Sequence, residues 1–219
     1  QRQRMAAQRQ PVRLALGVSY HGGHYQGWQS QLSRQTVQDQ LEKALGQFCA
    51  HPVSTLCAGR TDAGVHALMQ VVHFDTALDR PESSWVRGPN ALLPRDIAVH
   101  WAKQVPAAFH CRASALSRRY AYSLLESPVR PSVDQGRVGW VHRALDLPSM
   151  QQAAAHLIGE HDFTSFRASA CQALSPVKQM RRLAVTLICY FPFFLFVELM
   201  ACGRGWWVWN DRQVVGLFP

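Results

Sequence analysis

Asp62 and Arg60 stand two residues apart in Gly59-Arg-Thr-Asp-Ala-Gly64, which sets one carboxylate and one guanidinium between two glycines. Glycines keep the nearby backbone slim, so a substrate can come close. The flanking residues say how the group is held. An apolar run precedes it, and Val65, Ala67, Met69, Val71 and His73 alternate after it, so residues 56–74 read as strand, tight loop, strand. A loop pinned by two strands suits a group that must not move. The plainer account of the same spacing is a β-hairpin whose Thr61 and Asp62 only bond the turn backbone.

Two other stretches carry side chains suited to exposed nucleotides. His21-Gly-Gly-His-Tyr-Gln-Gly-Trp-Gln29 mixes glycines with aromatics and amides that can stack on and hydrogen-bond to bases. Against this stands an ordinary turn with Trp28 tucked into the core. Tyr120, Tyr122 and Leu124 share one face of a strand predicted over 117–125, with Arg118 and Arg119 beside them. There phosphates would take the charge while a base stacks on a ring; the plainer account is a packed tyrosine. His21 and His24 lack a third ligand, and the six cysteines (49, 57, 111, 171, 189, 202) form no Cys-x-x-Cys pair. Neither a metal site nor a disulfide framework is indicated, and the expected state is buried reduced thiols.

The elements that must position these groups follow from periodicity. Val12, Leu14, Leu16, Val18 and Tyr20 alternate with polar or small residues as a half-buried strand. Thr36 caps a helix with Asp39 at its third position, and Val37, Leu41, Ala44, Leu45 and Phe48 form its apolar stripe. A strand over 53–58 leads into the Asp62 loop, a short helix and turn span 81–93, and Ile97, Val99, Trp101 and Lys103 alternate as another strand. After 117–125, residues 127–141 are rich in proline and polar groups and read as a connection. A second helix starts near Pro148 and ends at Gly159, residues 161–166 form a loop, and Leu183, Val185 and Leu187 mark a further strand. The order strand, loop, helix, strand, strand thus occurs twice. It predicts an α+β fold of two similar halves, each an antiparallel sheet with helices on one face, and a cleft between them for a substrate.

Residues 183–201 are apolar enough to raise a membrane span, but Pro192 and Glu198 interrupt them, and their β-branched and aromatic content suits two strands joined near Tyr190. No membrane association is expected. A net charge of +9 over 219 residues favours a polyanionic partner. The predicted division is a mobile basic arm over 1–10, halves over 11–105 and 106–203, and an atypical tail over 204–219 with closely spaced tryptophans. The arm has three arginines and no acid; a targeting segment is the less favoured account of it, since Met5 could be a start. A cytoplasmic protein is expected.

Gly-Arg-Thr-Asp-Ala-Gly-Val-His-Ala at 59–67 resembles, without a gap, the signature of the TruA-type tRNA pseudouridine synthases. Tyr25-x-Gly-Trp-Gln29, Phe109-His-x-Arg112, Arg118-Arg-Tyr120 and Asp162-Phe-Thr-Ser-Phe166 fall in the order that family has, and the resemblance runs from about Val12 to about Val185. It implies the pseudouridine synthase fold and a cofactor-free, metal-free isomerase, homodimeric, that acts on uridine in the anticodon stem-loop of tRNA. By the same resemblance Asp62 is the catalytic nucleophile, Arg60 holds the place of the extruded nucleotide, and Tyr120 stacks on the target base. The family continues into a helix bearing a His-x-Met-Val-Arg-Asn-like segment, whose basic residue pairs with the catalytic carboxylate. Here the resemblance stops around Leu187, the ending reads as a truncation or a shifted reading frame, and the spacing of Arg204 and Arg212 does not match. Such a change leaves the carboxylate less firmly ionised and oriented. It makes an RNA-binding protein that has lost turnover the alternative to an active enzyme.

Overall fold

A computed structural model of the chain describes residues 10–167, 175–187 and 193–200; most of the basic arm, the join expected near Tyr190, Arg204, Arg212 and the tail lie outside these. The chain divides into two compact units, Gln1–Ser114 and Ala115–Pro219.

In the first unit, β1 (Val12–Tyr20) is followed by α1 (Val37–Cys49), β2 (Leu56–Cys57), β3 (Ala67–Thr76), α2 (Glu82–Asn90) and β4 (Ile97–Val105). The sheet order is β2-β3-β1-β4, and every pairing is antiparallel. Alternation in β1 sends Leu14, Leu16, Val18 and Tyr20 to a core shared with Val37, Leu41 and Leu45 of α1 and Trp85 of α2. Both helices therefore cover one face of the sheet. Thr36 starts α1 as its sequence implies: its hydroxyl oxygen accepts from the Asp39 amide at 3.3 Å and its O–H donates to the Asp39 carboxylate at 2.5 Å.

Two strands depart from the expected faces. In β3 the helix-covered face takes Gln70, Val72, Phe74 and Thr76, all buried, and not the alternating set that includes Met69 and Val71. In β4 the register shifts between Gly17 and Val18, which pair with Trp101 and Val99, so His100 is an extra residue. That bulge turns Trp101 to the outer face, where its ring lies over Gly17, and Ala102 takes the core position. A methyl group on Gly17 would sit 2.2 Å from the indole nitrogen.

Residues 106–114 cross this outer face. The Arg13 guanidinium makes two 2.8 Å hydrogen bonds to Asp75, its partner across β1 and β3, and two of 2.7 Å to the carbonyls of Ala107 and Phe109. That pairing holds the Asp75 carboxyl below the usual carboxylate range. Cys111 donates its amide to His73 Nδ1 at 3.4 Å and its thiol to the Leu56 carbonyl at 3.2 Å. These contacts attach 106–114 to the first unit, whereas the sequence places the division at 105/106.

The second unit holds β5 (Arg118–Glu126), β6 (Gly139–Val141), α3 (Leu147–His156), β7 (Gly159–Asp162), β8 (Val177–Leu187) and β9 (Phe193–Met200), in sheet order β6-β5-β9-β8-β7. Pairings are antiparallel apart from the short β5–β6 ladder, which is parallel. β6 lies in the stretch read as a connection and β7 in one read as a loop. The described part of the apolar run, 183–187 and 193–200, lies in β8 and β9, and among the described residues no helix is long and apolar enough to cross a membrane. The units share an opening strand, a helix and a later hairpin, but β9 separates β5 from β8 where β1 pairs directly with β3.

Candidate active site

The loop between β2 and β3, residues 58–66, is longer than a tight hairpin turn, and its fixation comes from four directions. The Gln70 side-chain amide grips Gly59 by both backbone groups, donating to its carbonyl and accepting from its N–H. This is why a polar residue can lie on the core face of β3: its hydrogen-bonding capacity is met by the loop. Thr61 accepts from the Trp28 amide at 2.9 Å through its carbonyl, and its hydroxyl pairs with the Tyr20 hydroxyl at 2.8 Å. Burial pushes the Tyr20 phenol upward, against the opposing pull of its hydrogen bonds to Thr61 and Gln70. The Val65 amide closes a turn on the Asp62 carbonyl at 3.2 Å, with Gly64 at φ +81° where an L side chain would be strained.

The other wall is the 21–28 loop. Gly64 donates to the Tyr25 carbonyl at 3.3 Å, and Gly22 donates to His66 Nδ1 at 3.0 Å. Two glycines let the backbones touch: a Cβ on Gly22 would stand 2.0 Å from the Val65 carbonyl oxygen, and one on Gly27 (φ +85°) 2.7 Å from that of Thr61. The aromatics of this loop are structural. Trp28 is 1% exposed, and the Tyr25 hydroxyl donates to Asp96 at 2.7 Å, with burial and that bond raising its pKa. Base stacking by Trp28, which the composition suggests, is replaced by core packing.

Against this fixed frame the Asp62 carboxylate is exposed and engages none of the described residues; Arg60, on the same loop, is likewise exposed and unengaged among them. The turn is held by backbone and by Thr61, so the plain hairpin account, in which Asp62 serves the turn, does not describe its side chain. In the second unit, Tyr120 is 48% exposed and Tyr122 57% exposed on one face of β5, with Arg118 and Arg119 adjacent. The Tyr122 ring lies over Gly139, where a Cβ would come within 3.0 Å of its hydroxyl.

Of the remaining motif segments, 109–112 belongs to the strap on the outer face of the first sheet. Asp162 accepts from the Thr164 amide at 2.7 Å and hydroxyl at 2.5 Å, a local turn that explains 162–166 without a ligand. His21 and His24 have ring centroids 6.1 Å apart, and among the described residues no three His, Cys, Asp or Glu are placed to hold a metal ion. The roles of Tyr20, Gly22, Gly27, Thr61 and His66 in fixing the loop are not assigned by local sequence; the available signal is glycine at 22 and 27 in a segment that faces a loop needing close backbone approach.

A family model described as tRNA pseudouridine synthase matches residues 17–112 and 153–200. Three curated relatives named tRNA pseudouridine synthase A align over 175 residues, 80% of this chain. The protein of Albidiferax ferrireducens is 75% identical with 67% of its length covered, that of Verminephrobacter eiseniae 70% identical with 64% covered, and that of Polaromonas sp. 67% identical with 66% covered. The chain thus spans about two thirds of the length of these relatives.

Proposed function

The chain belongs to the tRNA pseudouridine synthase family, and we propose that it isomerises uridine to pseudouridine in the anticodon stem-loop of tRNA with Asp62 as the nucleophile. The carrying observation is an exposed carboxylate on a backbone-locked loop, left unengaged by the described residues. The reaction breaks the bond between uracil N1 and the sugar, turns the base, and rejoins the sugar to C5, with the C5 proton lost and N1 protonated. A fixed carboxylate can add to the sugar or to the ring and leave again; addition to the ring tethers the base between the two steps, and addition to the sugar tethers the ribose while the base turns. The uridine must first leave its stack at a cost of a few kcal/mol. Tyr120 would offset part of that cost by stacking on the base, and Arg60 by filling the vacated place. The protein would work as a cytoplasmic homodimer on tRNA alone, with no small-molecule cofactor.

Unmodified tRNA carrying tritium at uracil C5 tests this directly. The chain should release tritium, and Asp62→Ala should reduce release to background. Equal release by Asp62→Ala would sink the assigned role. A second reading, tRNA binding without turnover, draws on the net charge of +9 and the exposed Tyr120 and Tyr122 beside arginines. It expects salt-sensitive binding and no tritium release at any enzyme concentration.

A further inference from the structure

We propose that His66 is a positioning residue for the Asp62 nucleophile, acting through the neutral tautomer whose Nδ1 accepts and whose Nε2 carries the proton. The Gly22 N–H opens the short 3-10 turn Gly22–His24 and points at His66 Nδ1, 3.0 Å away. A ring nitrogen that accepts is unprotonated, which assigns the proton of the neutral imidazole to the other nitrogen. The His21 ring, its centroid 4.2 Å from that of His66, restrains the plane of the imidazole from one side.

Asp62 lies between two fastenings. Upstream, Thr61 is tied to Trp28 and Tyr20; downstream, the backbone bond from Gly64 to Tyr25 is long at 3.3 Å, and His66 supplies the shorter tie to the same 21–28 loop. No side chain can be interposed at Gly22, because its α-carbon faces the Val65 carbonyl. The His66 acceptor therefore sets how closely the turn of 62–65 is drawn to its wall. Without it the turn keeps only the 3.3 Å Gly64–Tyr25 bond to its wall between the Thr61 ties and the start of β3 at Ala67, and a carboxylate displaced by about an ångström loses much of its attack geometry.

This inference rests on Asp62 being the nucleophile, so the test separates the two. The full chain and three variants are compared for tritium release and tRNA binding. His66→Ala should lower kcat by roughly 10- to 100-fold with tRNA affinity unchanged within about twofold. His66→Asn, which puts an amide oxygen near the position of Nδ1, should return kcat to within about threefold of the parent. His66→Gln, whose acceptor reaches the Nε2 position, should stay as slow as alanine. Full turnover by His66→Ala, or an asparagine variant as slow as alanine, overturns the proposal. Long-range proton–nitrogen spectra of the unaltered chain give a readout free of activity: Nδ1 unprotonated is expected, and a proton on Nδ1 overturns it. A parent chain that releases no tritium refutes the Asp62 reading instead, and the spectra still decide the tautomer.

Discussion

His73 ties pH to the integrity of the first unit. It is 3% exposed, and burial, then the positive charge of Arg13 and the neighbouring His110, bring its pKa from 6.5 to about 4. The unfolded chain binds a proton below about pH 6.5 that the folded one refuses until about pH 4, so stability is intact above that window and falls as pH drops through it. The loss at the acid end is at most about 3 kcal/mol. Denaturant midpoints measured from pH 7 to 4 should fall, and His73→Asn, which keeps an acceptor for the Cys111 amide, should flatten the curve. Under the proposed function, Tyr120 gives the residue-scale prediction for the substrate. Its ring and not its hydroxyl is what stacking uses, so Tyr120→Phe should keep turnover within about threefold, while Tyr120→Ala should lose about 1–3 kcal/mol of tRNA interaction, read as a rise in Kd or KM.

At the scale of elements, the contact between the 21–28 loop and the Asp62 loop admits little change. Gly27→Ala meets both a positive φ and the Thr61 carbonyl, and should cost about 1–3 kcal/mol, seen as a lower melting temperature. Thr36→Ala removes a buried cap from α1 and should cost about 1 kcal/mol by the same measurement. The cap was legible because its signature is local: a threonine, an acid three residues on, and an apolar stripe behind. β1 was legible because alternation persists along its whole length. The face of β3 was not, since two of its buried positions are Gln70 and Thr76, polar residues that become acceptable inside only once Gly59 or the next turn bonds to them. Bulges hide in the same way: nothing in Ile97-Ala-Val-His-Trp announces that His100 drops out of register. β6 and β7 are too short to establish a period, so they passed as loops.

For the whole molecule, the distribution of burial predicts unequal stability. The first unit holds a continuous core to which β1 and β3 contribute, whereas no residue of β5 or β7 is buried. Amide exchange should therefore be slower in β1 and β3 than in β5 and β7, and mass-spectrometric exchange of the intact chain would check it. At this scale the sequence was informative about kind and silent about fit. It announced two α+β halves, a basic surface and an acid-bearing loop, since these depend on periodicity and composition. The backbone contacts that make the loop rigid depend on residues more than thirty positions apart, such as Gly22 and His66 or Tyr20 and Thr61, and no local pattern encodes them. The Arg13 strap has a mechanical consequence. Tension applied to the chain beyond Ser114 meets two 2.7 Å hydrogen bonds from a guanidinium that is itself anchored by two more to Asp75, so the first sheet is insulated from pulling at its exit.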